Sequence, residues 1–545
     1  MKVTESSRPS YPIATTAERT SSRTVMPDPA PGGNRTYLPS EVAAYLAAGY
    51  GAWGYGPGLD RIRRPDLMPA GQVTDAARAA ARLLNFFAMT DIHITDKETP
   101  IQAILYGYRG GLSSAYSPVM MCTTQVLDAA VQTMNLLHAE KPFDFGISLG
   151  DAANNTQCNE LRWYIDVLDG KDIDPSSGSQ DDPAGQPRPE YQRCYRAAGL
   201  DPSIPWYQAI GNHDHFWIGT LAINDYLRAY YVGDEILNLG NVFTEHPGVD
   251  SRGFYMGSID GRTPLGDVFG VGPVADFAEP PRVRAADPRR RSLRRSEWMA
   301  EFLDTSSKPV GHGFTQENVD NDLACYSFEP SADLPLTVIV LDDTQRDDDA
   351  DVGGFGHGYL DQERYDWLVA ELDTAQSADR LMLVACHIPI GVEKPASPVG
   401  WSSLATVTEE DVIAKLHEYP NLVLWLAGHR HLNTVTAFPS PDPAQPELGF
   451  WQVETSSLRD FPQQFRTIEI VRNDDGTLSI LAEDMDPAVA DGSLAAQSRT
   501  YAVAAQQLFS NPLATTPSGA ANVELLMPLA SRMQSVLEGC GTPLG

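Results

Sequence analysis

The chain has 545 residues, 42% of them hydrophobic, and 72 acidic against 40 basic side chains give a formal net charge of −32. Such a field repels polyanions, which argues against long nucleic acid or an anionic membrane surface as a partner. No stretch approaches the roughly 20 apolar residues of a membrane span, and six cysteines without C-x-x-C spacing argue against a zinc ribbon or a disulfide scaffold.

Residues 1–35 are polar, rich in Ser, Thr, Pro and Gly, and lack the apolar segment of a signal peptide, so they read as a flexible leader. As the chain begins, it reads as cytoplasmic, and a different start codon leaves export open. An N-terminal extension, residues 36–79, precedes the first strong pattern. "RLLNFFAMTDIH" (82–93) is an apolar run of strand length that closes on Asp91 and His93. "CTTQVLDAAVQTMNLLHAE" follows with helical spacing. "PFDFGISLGD" (142–151) is a second strand ending in Gly150 and Asp151, and "PWYQAIGNHD" (205–214) a third, ending in Asn212, His213 and Asp214. "LPLTVIVLDDT" (334–344) is a fourth, rich in β-branched residues. After the amphipathic stretch 360–375 comes "RLMLVACHIP" (380–389), which ends at His387. Thr408 and Asp411 resemble a capping box that starts another helix. "NLVLWLAGHRH" (421–431) ends at His429 and His431, and a late hairpin turns at Asp475-Gly476. Strand–helix alternation of this kind predicts an α/β fold.

Five polar clusters, D-x-H, G-D, G-N-H-D, H and G-H-x-H, thus close five predicted strands. In α/β folds the C-terminal strand edge is where sites form, because loops converge there on a rigid base. Asp91, His93, Asp151, Asn212, His387, His429 and His431 are oxygen and nitrogen donors of the kind divalent transition metals take. Residues two apart on an extended segment point the same way, which pairs Asp91 with His93 and His429 with His431. Seven donors suit two ions, with one carboxylate bridging them. Taken singly, D-x-H and G-D are common turn chemistry; the five in order are what carries the signal.

The set resembles the calcineurin-like metallophosphoesterase superfamily over residues 80–485. The resemblance implies two mixed β-sheets packed between helices, with a dinuclear centre of two divalent ions (Mn, Fe or Zn) at the strand ends. It further implies that Asp91, His93 and His431 hold one ion, Asn212, His387 and His429 the other, and Asp151 both. His213 takes the place of a catalytic histidine that faces the substrate, with Asp214 as its acidic partner. The implied reaction is hydrolysis of a small phosphoester, a monoester or a diester, by a hydroxide held between the ions; a non-catalytic binding scaffold on the same fold is the alternative. Asn154 stands where purple acid phosphatases place a metal-bound tyrosine, which favours divalent ions over a tyrosinate–iron(III) centre.

The long insertions are individual to this chain. Residues 94–120 and 172–204 are loop-rich, and residues 216–333 exceed an ordinary connection and read as a cap. Inside the last, residues 281–298 carry seven arginines. Arg290, Arg291 and Arg294 are expected to reach over the centre as a bidentate fork for phosphate oxygens. Residues 486–545 read as a packed C-terminal appendage. The six cysteines are expected as buried free thiols, with a Cys158–Cys194 bridge left open; the sequence carries no signal of oligomeric state.

Overall fold

The computed structural model describes residues 9–544 apart from 14, 33–35, 70–77, 111–114, 179–187, 240–252, 347–355, 395, 396, 398, 404 and 510–518. Parts of the expected leader, loops, cap and appendage therefore lie outside the described residues.

Two large mixed sheets organise the chain. The nine-stranded sheet has a parallel side made of Ala79–Met89, Phe145–Ser148 and Trp206–Gln208, the last at its edge. The hairpin Phe465–Asn473 and Leu478–Asp486 extends it antiparallel from Ala79–Met89. The six-stranded sheet has Leu336–Val340, Leu381–Ala385, Leu422–Ala427 and Phe450–Glu454 in parallel order, with Tyr326–Phe328 and Thr434–Phe438 antiparallel at its edges. This is the mixed α/β class the sequence predicts.

Alternation along the strands sorts the side chains into two cores. Leu336, Val338, Val340, Leu383 and Val453 join a core that also contains Phe86, Phe87, Ile147 and Ile468 of the nine-stranded sheet. The intervening Ile339, Met382, Val384 and Trp425 pack instead with Leu368 and Leu372 of the helix Gln362–Ser377 and Val412 and Leu416 of the helix Glu409–Leu416. Strands buried on both faces read as continuous apolar runs, which is why the sequence marks them clearly.

The termini depart from expectation. Within the supposed leader, Glu18–Arg19 pairs with the Leu478–Asp486 strand and Arg23–Pro27 pairs with Trp53–Pro57. In the supposed appendage, Val523–Met527 adds a strand beside Leu478–Asp486, and Thr542–Pro543 pairs with Ala79–Met89. Both ends complete the main sheet. The insertion divides in two. Residues 225–273 hold a helix, Asp225–Val232, and a three-stranded sheet whose Leu227, Tyr231 and Met256 pack with Ile101 and Trp217 in a separate cluster. Trp298, Met299, Phe302, Phe314 and Tyr326, by contrast, belong to the main core. Cys122, Cys325 and Cys386 are buried thiols, and Cys158 is free, so it makes no bridge to Cys194. No helix among the described residues is long and apolar enough to cross a membrane.

Trp298 is fully buried. Truncating a buried aromatic costs about 3–5 kcal/mol. Trp298→Ala is therefore expected to lower unfolding free energy by that much in a denaturant titration, whereas removal of a detached cap residue would leave it near wild type.

Candidate metal centre

Each of the seven sequence-predicted ligands follows the C-terminal end of a parallel strand: Asp91 and His93 after Met89, Asp151 after Ser148, Asn212 after Gln208, His387 after Ala385, and His429 and His431 after Ala427. Ligands from the two sheets meet at one edge. The D-x-H and H-x-H pairs are not extended, however. Asp91, His93, Asp151, His429 and His431 all have φ between 48° and 67°, the left-handed region that side chains other than glycine enter at a cost. The pairs converge through these turns, not through strand periodicity. Two motif glycines permit the close packing: a Cβ on Gly211 would lie 2.2 Å from Asp151 Oδ1, and one on Gly428 2.1 Å from Thr90 Oγ1.

The donor atoms fall into two halves. In one, His93 Nε2 and His431 Nε2 are 3.2 Å apart, and Asp91 Oδ1 lies 3.6 and 3.2 Å from them. In the other, Asn212 Oδ1 lies 2.9 Å from His387 Nε2 and 3.1 Å from His429 Nδ1, with those two nitrogens 3.2 Å apart. Asp151 Oδ2 is shared, 3.6 Å from His93 Nε2 and 3.4 Å from His387 Nε2. Asp91, His93, Asp151 and His387 are fully buried or nearly so, while His431 is 13% exposed on its side chain, so the centre meets solvent on that side.

Hydrogen bonds on the outer side fix how these atoms face. His387 Nδ1 donates to the Leu149 carbonyl at 2.8 Å and His431 Nδ1 to Asp460 Oδ2 at 2.8 Å. In the neutral tautomer this leaves a lone pair on each Nε2. Asn212 Nδ2 donates to the Gly219 carbonyl at 2.9 Å, which turns Oδ1 inward. Asp151 Oδ1 accepts from the His213 N–H at 2.8 Å. Asp91 Oδ2 accepts from Thr90 Oγ1 at 2.7 Å and the His429 N–H at 2.9 Å, whereas the buried Asp91 Oδ1 has no donor. An unsatisfied buried oxygen amid inward-facing lone pairs fits a cation.

The electrostatics point the same way. Burial pushes His213 and His429 down to about 3. Burial acts likewise on His387 and His431, but Asp151 beside the first and Asp91 beside the second outweigh it and hold both at about 10. Burial alone would raise Asp91 and Asp151; the facing imidazoles, His431 and His387 foremost, keep both carboxyls below the ordinary carboxylate range. The two carboxylates and the two raised imidazoles thus balance one another, and a cation entering the site would take the place of the imidazolium protons.

His213 is brought to the centre: its ring stands edge-on to His93, centroids 4.5 Å apart. Its expected partner is not there. His213 Nδ1 donates to the Asn154 carbonyl at 2.7 Å. Asp214 instead accepts from the N–H groups of Asp151, Ala153 and Gly211 at 3.0, 3.1 and 2.9 Å, tying two ligand loops together. Short turns favour this use, because a carboxylate three residues on can reach back to Gly211. Asn154 Oδ1 accepts from Arg459 at 2.7 Å. His215 is buried behind the centre against Thr344 Oγ1 at 2.9 Å.

Of the three arginines, Arg290 is a correction. Arg290 is fully buried and donates to Ser177 Oγ and to the Ala285 and Glu98 carbonyls, with Asp96 at 3.4 Å. Arg291 pairs with Glu301 at 3.1 Å, and Arg294 precedes the helix Arg295–Glu301, its N–H donating to Glu297 at 2.9 Å. None of these contacts reaches the donor set. A guanidinium that satisfies carbonyls and a carboxylate inside the protein is not available to a ligand.

Sequence reading missed Asp460 and Arg459, and also Asp343, which accepts from the N–H groups of His387 and Ile388 at 3.1 and 2.9 Å. The strand-end rule would have found Asp460 had Phe450–Glu454 been read as a strand, since Asp460 follows its C-terminal end.

No protein-family model matches the chain, and no curated protein matches it. Among solved structures, a dimetal phosphatase from Danio rerio covers 75% of this chain and 100% of its own, at 11% identity and a TM-score of 0.37. A likeness that distant carries no argument, and the reading below stands on the geometry.

Breaking a buried ion pair by removing one partner costs about 3–5 kcal/mol, and exposed pairs about 0–1. Arg290→Gln is expected to destabilise the protein by the larger amount in chemical unfolding, and Arg291→Gln by the smaller. Equal, negligible losses would return Arg290 to the surface.

Proposed function

We propose that the chain is a hydrolase of phosphoric esters that depends on two divalent metal ions. The observation that supports this best is the pair of three-residue donor sets sharing Asp151 Oδ2, with His387, His431 and Asn212 aimed inward by hydrogen bonds on their far sides. Asp91, His93 and His431 would hold one ion, and Asn212, His387 and His429 the other. Oxygen and nitrogen donors suit Mn, Fe or Zn, and availability decides among them. When bound, such a pair neutralises phosphoryl oxygens and lowers the pKa of water toward 7, from about 15.7 in bulk.

The protein's own groups do the rest. Asp214 and Asp343 fix the backbone on which Asp151, Asn212 and His387 stand. His213 gives its Nδ1 proton to the Asn154 carbonyl, so Nε2 is the nitrogen left for chemistry. Burial keeps the ring neutral; an incoming phosphoryl anion supplies the charge that favours its protonation, and solvent supplies the proton to Nε2. Nε2 then delivers that proton to the leaving oxygen. Positioned proton transfer of this kind is worth roughly a hundred- to ten-thousandfold in rate.

Metal-stripped protein supplied with Mn(II), and assayed on an aryl phosphomonoester and an aryl phosphodiester, tests the reading. Hydrolysis of either ester that is abolished by chelation is the expected result. Two bound ions without turnover would favour a binding scaffold, and full activity in metal-free protein would falsify the proposal outright. His213→Ala is expected to keep metal content near wild type while kcat falls about a hundredfold or more. His387→Ala and Asp151→Asn are expected to lose metal, the latter most, because a neutral amide bridges two cations poorly. Equal metal loss in the His213 and His387 variants would make His213 a ligand.

A further inference from the structure

The segment Ser457–Asp460 follows the Phe450–Glu454 strand and carries no ligand, yet it touches three ligand-bearing loops. Ser457 Oγ donates to the Asp91 carbonyl at 2.7 Å and accepts from the N–H groups of Arg459 and Asp460 at 2.9 and 3.1 Å. The Leu458 N–H donates to the Thr90 carbonyl at 3.3 Å. Arg459 Nη1 donates to Asn154 Oδ1 at 2.7 Å, in the loop of Asp151 and beside the carbonyl that holds His213. Asp460 Oδ2 accepts from His431 Nδ1 at 2.8 Å. Behind it, Gln463 Nε2 donates to the Arg459 carbonyl at 2.9 Å and to Ser498 Oγ at 3.1 Å, anchoring the segment to the helix Leu494–Phe509.

We infer that Ser457–Asp460 is a positioning element for the Asp91, His93 and His431 half of the centre, in which Asp460 aims and polarises His431 and Ser457 holds the turn of Asp91. The inference rests on the metal-centre reading above and adds an asymmetry to it. His387, the matching histidine of the other half, gives its far N–H to a neutral main-chain carbonyl, that of Leu149. His431 gives it to a carboxylate. A charged acceptor makes the stronger hydrogen bond and the more basic inward nitrogen, and loss of such an outer partner typically lowers metal affinity ten- to hundredfold. Ser457 acts on the other ligand of the same half. Asp91 has φ 51°, and a hydroxyl donated to its carbonyl fixes a backbone that would otherwise relax toward an extended conformation.

The test is cobalt(II) titration of the metal-stripped full chain by calorimetry, paired with thermal unfolding of the stripped and loaded protein. Asp460→Asn keeps volume and an acceptor oxygen and removes the charge. The expected result is that one bound equivalent weakens about ten- to hundredfold while the other is unchanged. The unfolding midpoint of the stripped protein is expected to fall as the buried His431–Asp460 pair is lost, and the rise on adding cobalt should shrink as well. Ser457→Ala, a smaller change that also serves should Asp460→Asn not fold, is expected to weaken the same equivalent about tenfold. Unaltered cobalt affinities in the variants overturn the inference, as does a lower midpoint of the stripped protein with both affinities intact, which would make the segment a scaffold only. A wild-type chain that takes up no cobalt sinks the metal-centre reading itself, which is a different result from a wild type that binds two ions with variants that bind them equally well.

Discussion

Atoms that each present a lone pair repel, and the centre holds several of them within about 3–4 Å of one another. His93 and His431 face each other through their Nε2 atoms, and Asn212 Oδ1 faces both His387 and His429. The carboxylates facing His387 and His431 offset part of that crowding, and the surrounding protein must impose the rest. Much of the fold can be read as the means of doing so. The two sheets bring their C-terminal edges to one line, and the turns after the strands bend Asp91, His93, Asp151, His429 and His431 into left-handed conformations. Each such residue costs about 1–3 kcal/mol. Strain of that size persists only where packing and hydrogen bonds over-determine the backbone.

The over-determination comes from an outer ring of carboxylates and carbonyls. Asp214 binds three N–H groups across the Asp151 and Gly211 loops, and Asp343 binds two at His387. Asp342, behind them, is paired with Arg295 and Arg364, which ties the insertion's helix Arg295–Glu301 and the helix Gln362–Ser377 to the same edge. The insertion therefore matters to the centre through its buried part, around Trp298 and Arg295, as well as through any surface it presents. Rigid support of this kind is what a preorganised site requires, since its donors must already be in place when the ion or the substrate arrives.

How much of this was legible in the sequence follows from where the side chains sit. The parallel strands announced themselves because both faces are buried, and the ligands were legible because they directly follow those strands. Short edge strands were not. Glu18–Arg19 and Thr542–Pro543 are two residues long and hold their place through partners hundreds of residues away, which no local pattern encodes. Asp460 escaped notice for a related reason: its contact with His431 spans 29 residues and a strand that was not recognised. Arg290 misled because charge on a polar segment normally means exposure, as it does for Arg291. Arg290 is the exception, its guanidinium saturated by carbonyls brought from residues 98 and 285. Asp214 misled through adjacency, since a neighbour in sequence is the natural partner for a histidine until the turn points it back into the backbone.

The arrangement also orders events. Asp91, Asp151 and Asp460 place negative charge around the donor set of a protein that already carries −32. The arginines close to it are engaged elsewhere: Arg459 with Asn154, and Arg430 with Glu454 and Glu393. Side chains alone therefore offer an anionic ester no free guanidinium of this group, and the raised His387 and His431 are engaged with Asp151 and Asp91. On the proposed reading the positive charge must come from the ions, so substrate binding follows metal loading and cannot precede it. The same negative net charge that opposes the substrate favours the cations that must precede it.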